Sequence, residues 1–235
     1  MANIIKLGSL HLDGQPIKMG ADYAPGQSIE VGETISGKEI SWVVVNGMLI
    51  ADQCLLTNVS WDDLNAQNLV FGKKITIGGF LFTVRLLQVG AEKGVPNEWD
   101  AALDEVGEND DIWHWKDSWF WGQESMRASR RARRGYRSAR YWNWSDSSYR
   151  IANLGFRPAL VPLLSDTLSD TRNGETLMLW DSQNIAFGRL EELTDYEVVL
   201  SGGDGSLSDG FGSRLSDGRI VIDRGAIAGV QTRRR

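Results

Sequence analysis

The sequence predicts an α+β fold: a domain with few short helices and long loops, followed by a small all-β barrel. Three observations indicate this class. Strand-like segments and two helix-capping signals occupy residues 4–106, periodicity fades over 107–160, and short strand patterns return after residue 174. We therefore expect one domain at 1–165, a linker at 166–173 and a β-barrel at 174–232.

The N-terminal strands are predicted from composition and from one turn. Residues 4–10 and 40–45 are rich in β-branched and apolar side chains, which favour strands. Residues 74–77 and 80–88 flank Gly78-Gly79, a pair that accepts the positive φ angles of a tight hairpin turn. We expect these two segments to pair antiparallel.

Two helices are predicted from their caps. Ser60 precedes Trp61-Asp62-Asp63-Leu64, so its hydroxyl can accept a hydrogen bond from the third helical amide. A second helix follows Asn97 and is expected to end at Gly107. Its apolar residues share one face, at Trp99, Ala102, Leu103 and Val106.

Residues 107–160 are expected to form long loops with short strands near 138–143 and 155–161. Seven of the ten tryptophans fall between Trp99 and Trp144, among many Gly, Ser, Asn and Asp residues. Indole buries a large apolar area but needs a partner for its N–H. Such a stretch suits a wet aromatic binding face or a Trp-rich core. We expect Trp142 and Trp144 at the surface and the following in the core: Trp42, Trp61, Trp99, Trp115 and Trp121.

The C-terminal part reads as short strands at 176–180, 185–190, 196–200 and 219–222, interrupted by a Gly/Ser/Asp loop at 201–218. Several short strands within about sixty residues favour a small barrel. The polar segment 166–173 before them has few large apolar groups, which is typical of a linker.

Composition excludes several classes. A net charge of −6 argues against a protein that binds nucleic acid over its whole surface. Cys54 is the single cysteine, so no internal disulfide forms and a cytoplasmic or virion-associated location is favoured. We expect no signal peptide, because no apolar segment follows a charged N-terminus. The apolar runs are too short to cross a membrane.

Six motifs in residues 97–160 resemble the C-type-lectin-type fold. They are Asn97-Glu98-Trp99-Asp100, Trp113-His114-Trp115, Trp121-Gly122-Gln123-Glu124, Arg134-Gly135-Tyr136, Ser138-Ala139-Arg140 and Gly155-Phe156-Arg157-Pro158-Ala159-Leu160. Within that fold they resemble the group that includes formylglycine-generating-enzyme-like domains and retroelement-diversified variable proteins. The enzyme branch uses paired cysteines with copper, which the lone Cys54 cannot supply, so we expect a protein that is not an enzyme.

The resemblance implies a loop-rich surface that displays ligand-binding side chains before the closing strand. Tyr and Trp supply rigid contact area there, while Ser and Asn supply adaptable hydrogen bonds. We expect a protein or glycan ligand. The displayed residues would be Arg140, Tyr141, Trp142, Asn143, Trp144, Ser145, Asp146, Ser148, Tyr149 and Asn153.

The C-terminal part resembles Sm-like barrels more weakly. Phe187-Gly188-Arg189-Leu190 and Thr194-Asp195-Tyr196 resemble the first motif of that family, and Ile222-Asp223-Arg224-Gly225 resembles the second. The resemblance implies ring formation, hence a homo-oligomer. It also implies an alternative nucleotide or RNA site at Asp195, Tyr196, Arg224 and Gly225. The acidic 201–218 loop would repel phosphate, so assembly is the favoured role.

Seven arginines between Arg127 and Arg140 allow two interpretations. They could contact phosphates, with Trp142 and Trp144 as stacking platforms, as in a phage-type protein that sequesters a nucleotide signal. Alternatively, they could pair with the 98–111 carboxylates and stack on indoles, which is our preference.

An enzyme that uses His114 with nearby carboxylates is a third hypothesis, weaker because His114 has no evident nucleophile beside it. Two histidines and one cysteine make no convincing zinc site, so we expect neither metal nor cofactor. The leading hypothesis is a non-enzymatic binding protein, made multivalent by its C-terminal barrel.

Overall fold

The computed structural model describes residues 2–163 and 166–234, and their backbone forms three curled sheets. Strands account for 47% of the residues and helices for 11%, so the fold is mainly β. The predicted α+β class is wrong. Its error lies in residues 107–160, where the long strands β10 (Trp119–Arg127) and β11 (Arg130–Gly135) stand in place of expected loops, and in helices too short to form a layer.

Within the described ranges the strands, numbered in chain order, are β1 (Ile4–Leu12), β2 (Gln15–Pro16), β3 (Ala21–Asp22), β4 (Ile29–Gly32), β5 (Glu39–Val45), β6 (Met48–Ala51), β7 (Leu56–Thr57), β8 (Lys73–Ile77), β9 (Phe80–Leu86), β10 (Trp119–Arg127), β11 (Arg130–Gly135), β12 (Trp142–Asp146), β13 (Leu154–Phe156), β14 (Pro158–Pro162), β15 (Thr176–Trp180), β16 (Ile185–Leu193), β17 (Glu197–Ser206), β18 (Gly212–Arg214), β19 (Ile220–Asp223) and β20 (Gly229–Thr232). The helices are α1 (Trp61–Ala66), α2 (Glu98–Val106) and α3 (Asp110–Trp113), with 3-10 turns at Leu168–Asp170 and Arg224–Ala226.

The first sheet has the strand order β2-β1-β5-β6-β14-β9-β8, with β4 also paired to β1. It contains the strands expected at 4–10 and 40–45 and the predicted hairpin, now β8 and β9. Gly78 and Gly79 have φ angles of 60° and 83°, as the tight turn requires. These three predictions are confirmed.

The second sheet has the order β12-β11-β10-β13-β7-β3 and carries the site described below. Both predicted helices lie beside it. Ser60 and Asp63 form a capping box at α1, and Asn97 accepts a hydrogen bond from the Asp100 amide at α2. Gly107, with φ of 91°, ends α2 as expected. Trp99 is buried, with Trp113 and Phe120 packed edge-on at 4.9 and 4.8 Å.

The third sheet, order β18-β19-β17-β16-β15-β20, contains the four predicted C-terminal strands. The loop expected at 201–218 is partly wrong, because β17 continues to Ser206 and β18 pairs with β19. Met178, Trp180 and Ile185 belong to the apolar core of the first sheet. Residue 165, where the predicted first domain ends, lies outside the described residues, and the predicted linker at 166–173 contains the 3-10 turn Leu168–Asp170. No described helix is both long and apolar enough to cross a membrane.

Candidate functional site

Strands β10, β11 and β12 carry the central arginines and tryptophans on alternate faces. Arg133 lies opposite Asn143 and Trp121 in neighbouring strands, whereas Arg134 lies opposite Trp142 and Phe120. Since successive side chains of a strand point to opposite faces, Arg133 and Asn143 share one face and Arg134 shares the other with Trp142. The two faces have different roles.

One face is packed against α2. Arg134 is buried; its Nη2 lies 2.6 Å from the Asp100 carboxylate and its Nε donates to the Val89 carbonyl. Trp142 is half-buried in the same core and donates its indole N–H to the carbonyl of Gly90 at 2.9 Å. Trp144 is also half-buried and lies under the guanidinium of Arg130, 3.5 Å from its ring centre. On this face the buried arginine and both indoles are engaged by other residues of the protein.

The opposite face contains a cavity of about 320 Å³. Aromatic, arginine and asparagine side chains dominate its wall. The lining residues are Trp119, Arg133, Tyr136, Arg137, Tyr141, Asn143, Tyr149, Ile151 and Asn153, and we call this site the arginine–tyrosine pocket.

The pocket is built around the buried ring of Trp119 at the start of β10. The Tyr136 ring is parallel to it, 6° apart in plane and 5.4 Å between centres. The Tyr141 ring is tilted at 43°, with centres 5.3 Å apart. The Arg133 guanidinium lies over Trp119, 4.0 Å from its ring centre. Tyr136, Tyr141 and Arg133 therefore all pack against the same indole, which holds them in place relative to one another.

A strained turn brings Tyr136 to this position. Tyr136 has a φ of 76°, in the left-handed region that non-glycine residues rarely adopt. Its amide donates to the Trp115 carbonyl and its own carbonyl accepts from Asp117, which holds the turn. A Cβ on the preceding Gly135 would lie 2.3 Å from the Ser118 carbonyl oxygen. Strain of about 1–3 kcal/mol is typical of such outliers and concentrates at functional sites.

The charge of Arg133 is not neutralised by the protein. Within the described chain Arg133 forms no ion pair, and its Nε is buried without a hydrogen-bond partner. Burial lowers the pKa of Arg133, while the nearby phenols of Tyr149 and Tyr141 raise it slightly. Arg137 lies 5.3 Å over the Tyr141 ring and is exposed. The pocket is therefore cationic and rich in hydrogen-bond donors.

Four of the ten side chains expected on the display surface meet in this pocket: Tyr141, Asn143, Tyr149 and Asn153. The other six do not line it. Arg140 is held by Asp100, Asp104 and Glu108. Ser145 is buried, whereas Asp146 and Ser148 are exposed. Trp142 and Trp144 lie on the α2 side of the sheet.

Five lining residues were missed: Trp119, Arg133, Tyr136, Arg137 and Ile151. Ile151 lies between Tyr149 and Asn153 in the predicted stretch. The other four belong to neighbouring strands and turns, so only the register of β10, β11 and β12 brings them to Asn143. A signal was available in Gly135-Tyr136, because a glycine before an aromatic residue between two strands indicates a special turn.

The alternative site in the C-terminal part is acidic. Asp195, Tyr196 and Gly225 line a cavity of about 590 Å³, together with the carboxylates of Glu197, Asp209 and Asp223. Arg224 turns to the Thr194 carbonyl, 2.8 Å away, and to Asp195 at 3.7 Å. Grouped carboxylates oppose phosphate binding.

The residues considered for catalysis do not form an acid–base pair in the described structure. His114 ends α3, is exposed, and has its Nδ1 3.4 Å from the backbone carbonyl of Asp52. The Asp110 carboxylate accepts instead from the Lys116 amide. Burial raises the pKa of the Cys54 thiol, which disfavours a nucleophilic thiolate.

Neither protein-family models nor searches of curated proteins and solved structures gave a match for this chain. Fold and site together define a mainly-β protein with an arginine–tyrosine pocket on its second sheet.

Proposed function

We propose that this chain is a non-enzymatic binding protein that recognises a protein or glycan ligand through the arginine–tyrosine pocket. The observation that carries the proposal is the meeting of four expected display residues with Arg133, a cation that stacks on Trp119 and forms no ion pair with a described carboxylate. A desolvated, unpaired charge costs stability, so its retention in a concave site favours a role in binding.

The chemistry of the wall supports recognition. Tyrosines give rigid contact area with little loss of conformational entropy, and asparagines give adaptable hydrogen bonds. Tyr149 is 46% exposed and stands at the rim, where a ligand would cover it. The stacked rings around Trp119 keep the wall preformed, which lowers the entropic cost of binding.

We also propose that the chain is multivalent through its third sheet. Several weak sites on one assembly would raise avidity by about 10²–10⁴ without any new contact. Native mass spectrometry should show a homo-oligomer, and a monomer at micromolar concentration would remove this part of the proposal.

A second candidate function is sequestration of a nucleotide or RNA. The favouring observation is that Arg130, Arg131 and Arg133 form no ion pair with a described carboxylate, which leaves three cations for phosphate groups. Binding of GMP or a short oligoribonucleotide would then weaken steeply with salt. Absent or salt-insensitive binding would reject this candidate.

The proposal is tested on arrays of glycans and proteins probed with three forms of the labelled chain. The double variant Tyr149→Ala/Asn153→Ala removes two side chains that line the pocket. Ser148→Ala changes an exposed residue of the same segment outside it and is the matched control. We expect a small set of ligands bound by the wild type and by Ser148→Ala, and lost in the double variant. Equal binding by all three forms would contradict the proposal.

A further inference from the structure

We infer that the arginine–tyrosine pocket binds the carboxylate of an acidic sugar residue through hydrogen bonds from the terminal Nη groups of Arg133. The inference rests on the proposed function and names its ligand class. It follows from which surfaces of the wall are already used and which remain free.

The indole at the centre of the pocket and the two tyrosine rings next to it are engaged by the protein itself. Arg133 covers Trp119, Tyr136 is parallel to the same indole, and Arg137 lies over Tyr141. Trp119 is only 5% exposed, so the ring of a ligand cannot stack on it. A nucleobase needs a free aromatic face on which to stack. Apart from the exposed ring of Tyr149 at the rim, the wall presents guanidinium edges, phenol hydroxyls and amides.

A stacked guanidinium is well prepared for a carboxylate. Stacking uses the face of the group and leaves its N–H bonds, which lie in the plane, free to form two parallel hydrogen bonds. The Nε of Arg133 is buried, its two terminal Nη groups donate to no described residue, and no described carboxylate forms an ion pair with it, so the Nη groups are the ones that a carboxylate can reach. An incoming carboxylate would supply the charge and the acceptors that this side chain lacks.

The remaining polar groups suit hydroxyls. The Asn143 side-chain oxygen accepts from the Trp144 amide at 2.8 Å, which leaves its NH₂ group as a donor. Asn153 and the Tyr149 phenol lie on the same wall. The cavity of about 320 Å³ is at the lower end of the roughly 300–1,000 Å³ range of small-molecule sites. A single sugar ring with one carboxylate matches this size and this set of donors.

The test is calorimetric titration with four probes: a disaccharide ending in glucuronic acid, the same disaccharide ending in glucose, its 6-sulfated form, and GMP. We expect the glucuronic acid form to bind at least tenfold more tightly than the glucose form. Arg133→Gln should abolish that preference, and Arg133→Lys should restore only part of it because an ammonium cannot form the bidentate pair. Arg130→Gln, whose guanidinium lies over Trp144 on the other face, should leave it unchanged.

The outcomes separate the two proposals. Equal binding of the glucose form, with loss in Tyr149→Ala/Asn153→Ala, would overturn the carboxylate inference and keep the pocket as a binding site. Tighter binding of the sulfated sugar or of GMP would also overturn it. Failure of all four probes would overturn it as well, while pocket-dependent ligands on the arrays would still support the proposed function. Circular dichroism of each variant serves as the control for folding.

Discussion

Two adjacent arginines of β11 differ in whether their charge is paired, because they point to opposite faces of the sheet. Arg134 faces α2, where Asp100 pairs with it, whereas Arg133 faces the cavity and has no such partner. Arg140 is likewise paired, with Asp104 and Glu108. The preferred interpretation of the arginine run therefore holds in two ways. Arg134 and Arg140 pair with carboxylates, and Arg133 stacks on an indole.

The first prediction concerns Arg134. Replacing it with Met removes hydrogen bonds to Val89 and Arg140 and leaves the Asp100 carboxylate without its main partner. Removing one member of a buried pair costs about 3–5 kcal/mol. Urea unfolding of Arg134→Met should show a loss of that size. Arg127→Met, at an exposed position, should lose less than about 0.5 kcal/mol. Similar losses in the two variants would contradict the role of the ion pair.

At the scale of elements, the parts with local chemical signals were predictable. The β8–β9 hairpin follows from Gly78-Gly79, and both helices follow from their caps. Strands β10 and β11 were missed because their apolar and polar residues do not alternate, and the strand expected near 138–143 instead begins at Trp142, as β12. The run Arg130-Arg131-Ala132-Arg133-Arg134 puts Arg130 and Arg134 on one face and Arg131 and Arg133 on the other, so no two-residue period is visible.

The second prediction concerns the cap of α1. Burial raises the pKa of Asp63, but hydrogen bonds from Arg150 and Ser60 outweigh it and hold the pKa below its ordinary value of 3.8. The resulting stability is present above pH 3.8 and is lost as the pH falls through the lowered folded-state pKa. Asp63→Asn should cost about 1–2 kcal/mol at pH 7, and this difference should shrink below pH 3.8.

Thermal or urea unfolding at several pH values measures this difference. Asp111→Asn, at an exposed position in the first turn of α3, serves as the control and should cost little at any pH. A cost of Asp63→Asn that stays constant down to pH 2 would show that the carboxylate charge is not the source of the stability.

The third prediction concerns Gly155 in β13, which pairs with β10 on one side and β7 on the other. A Cβ there would lie 1.9 Å from the Leu56 carbonyl oxygen, so the strands must separate. Gly155→Ala should destabilise the fold by at least about 1–3 kcal/mol, the usual cost of overpacking. Gly225→Ala meets only the Asp223 carboxylate at 3.2 Å and should be milder. Equal unfolding midpoints would refute the close approach.

At the scale of the whole molecule, the third sheet packs against the first and is hydrogen-bonded to it. Trp180 and Ile185 pack in the core that also contains Trp42, and the Gln231 side chain bonds both the amide and the carbonyl of Leu81. The sequence indicated a barrel joined by a linker because apolar residues of β15 and β16 do not reveal which neighbour they pack against. Long-range packing of this kind leaves no local signal.

The fourth prediction follows from this shared core. The chain should unfold in one cooperative transition, because separating the third sheet would expose Trp180 and Ile185. Scanning calorimetry should then give equal calorimetric and van't Hoff enthalpies. Two resolved transitions would show that the sheets unfold independently.

About half of the site was predictable. The contiguous stretch from Tyr141 to Asn153 has a composition that marks it, but Trp119, Arg133 and Tyr136 join it only through strand register and a strained turn. The same register removes Trp142 and Trp144 from the pocket. Composition indicates which residues are suited to bind, and pairing between strands decides which of them share a surface.

The most direct test of the central claim is a ¹⁵N-resolved NMR titration with the glucuronic-acid disaccharide. The Arg133 Nε–H signal and the side-chain amide signals of Asn143 and Asn153 should shift on binding. The indole N–H signals of Trp142 and Trp144, on the other face of the sheet, should stay in place. Shifts confined to those two indoles, or no shift at Arg133, would contradict a binding site in the arginine–tyrosine pocket.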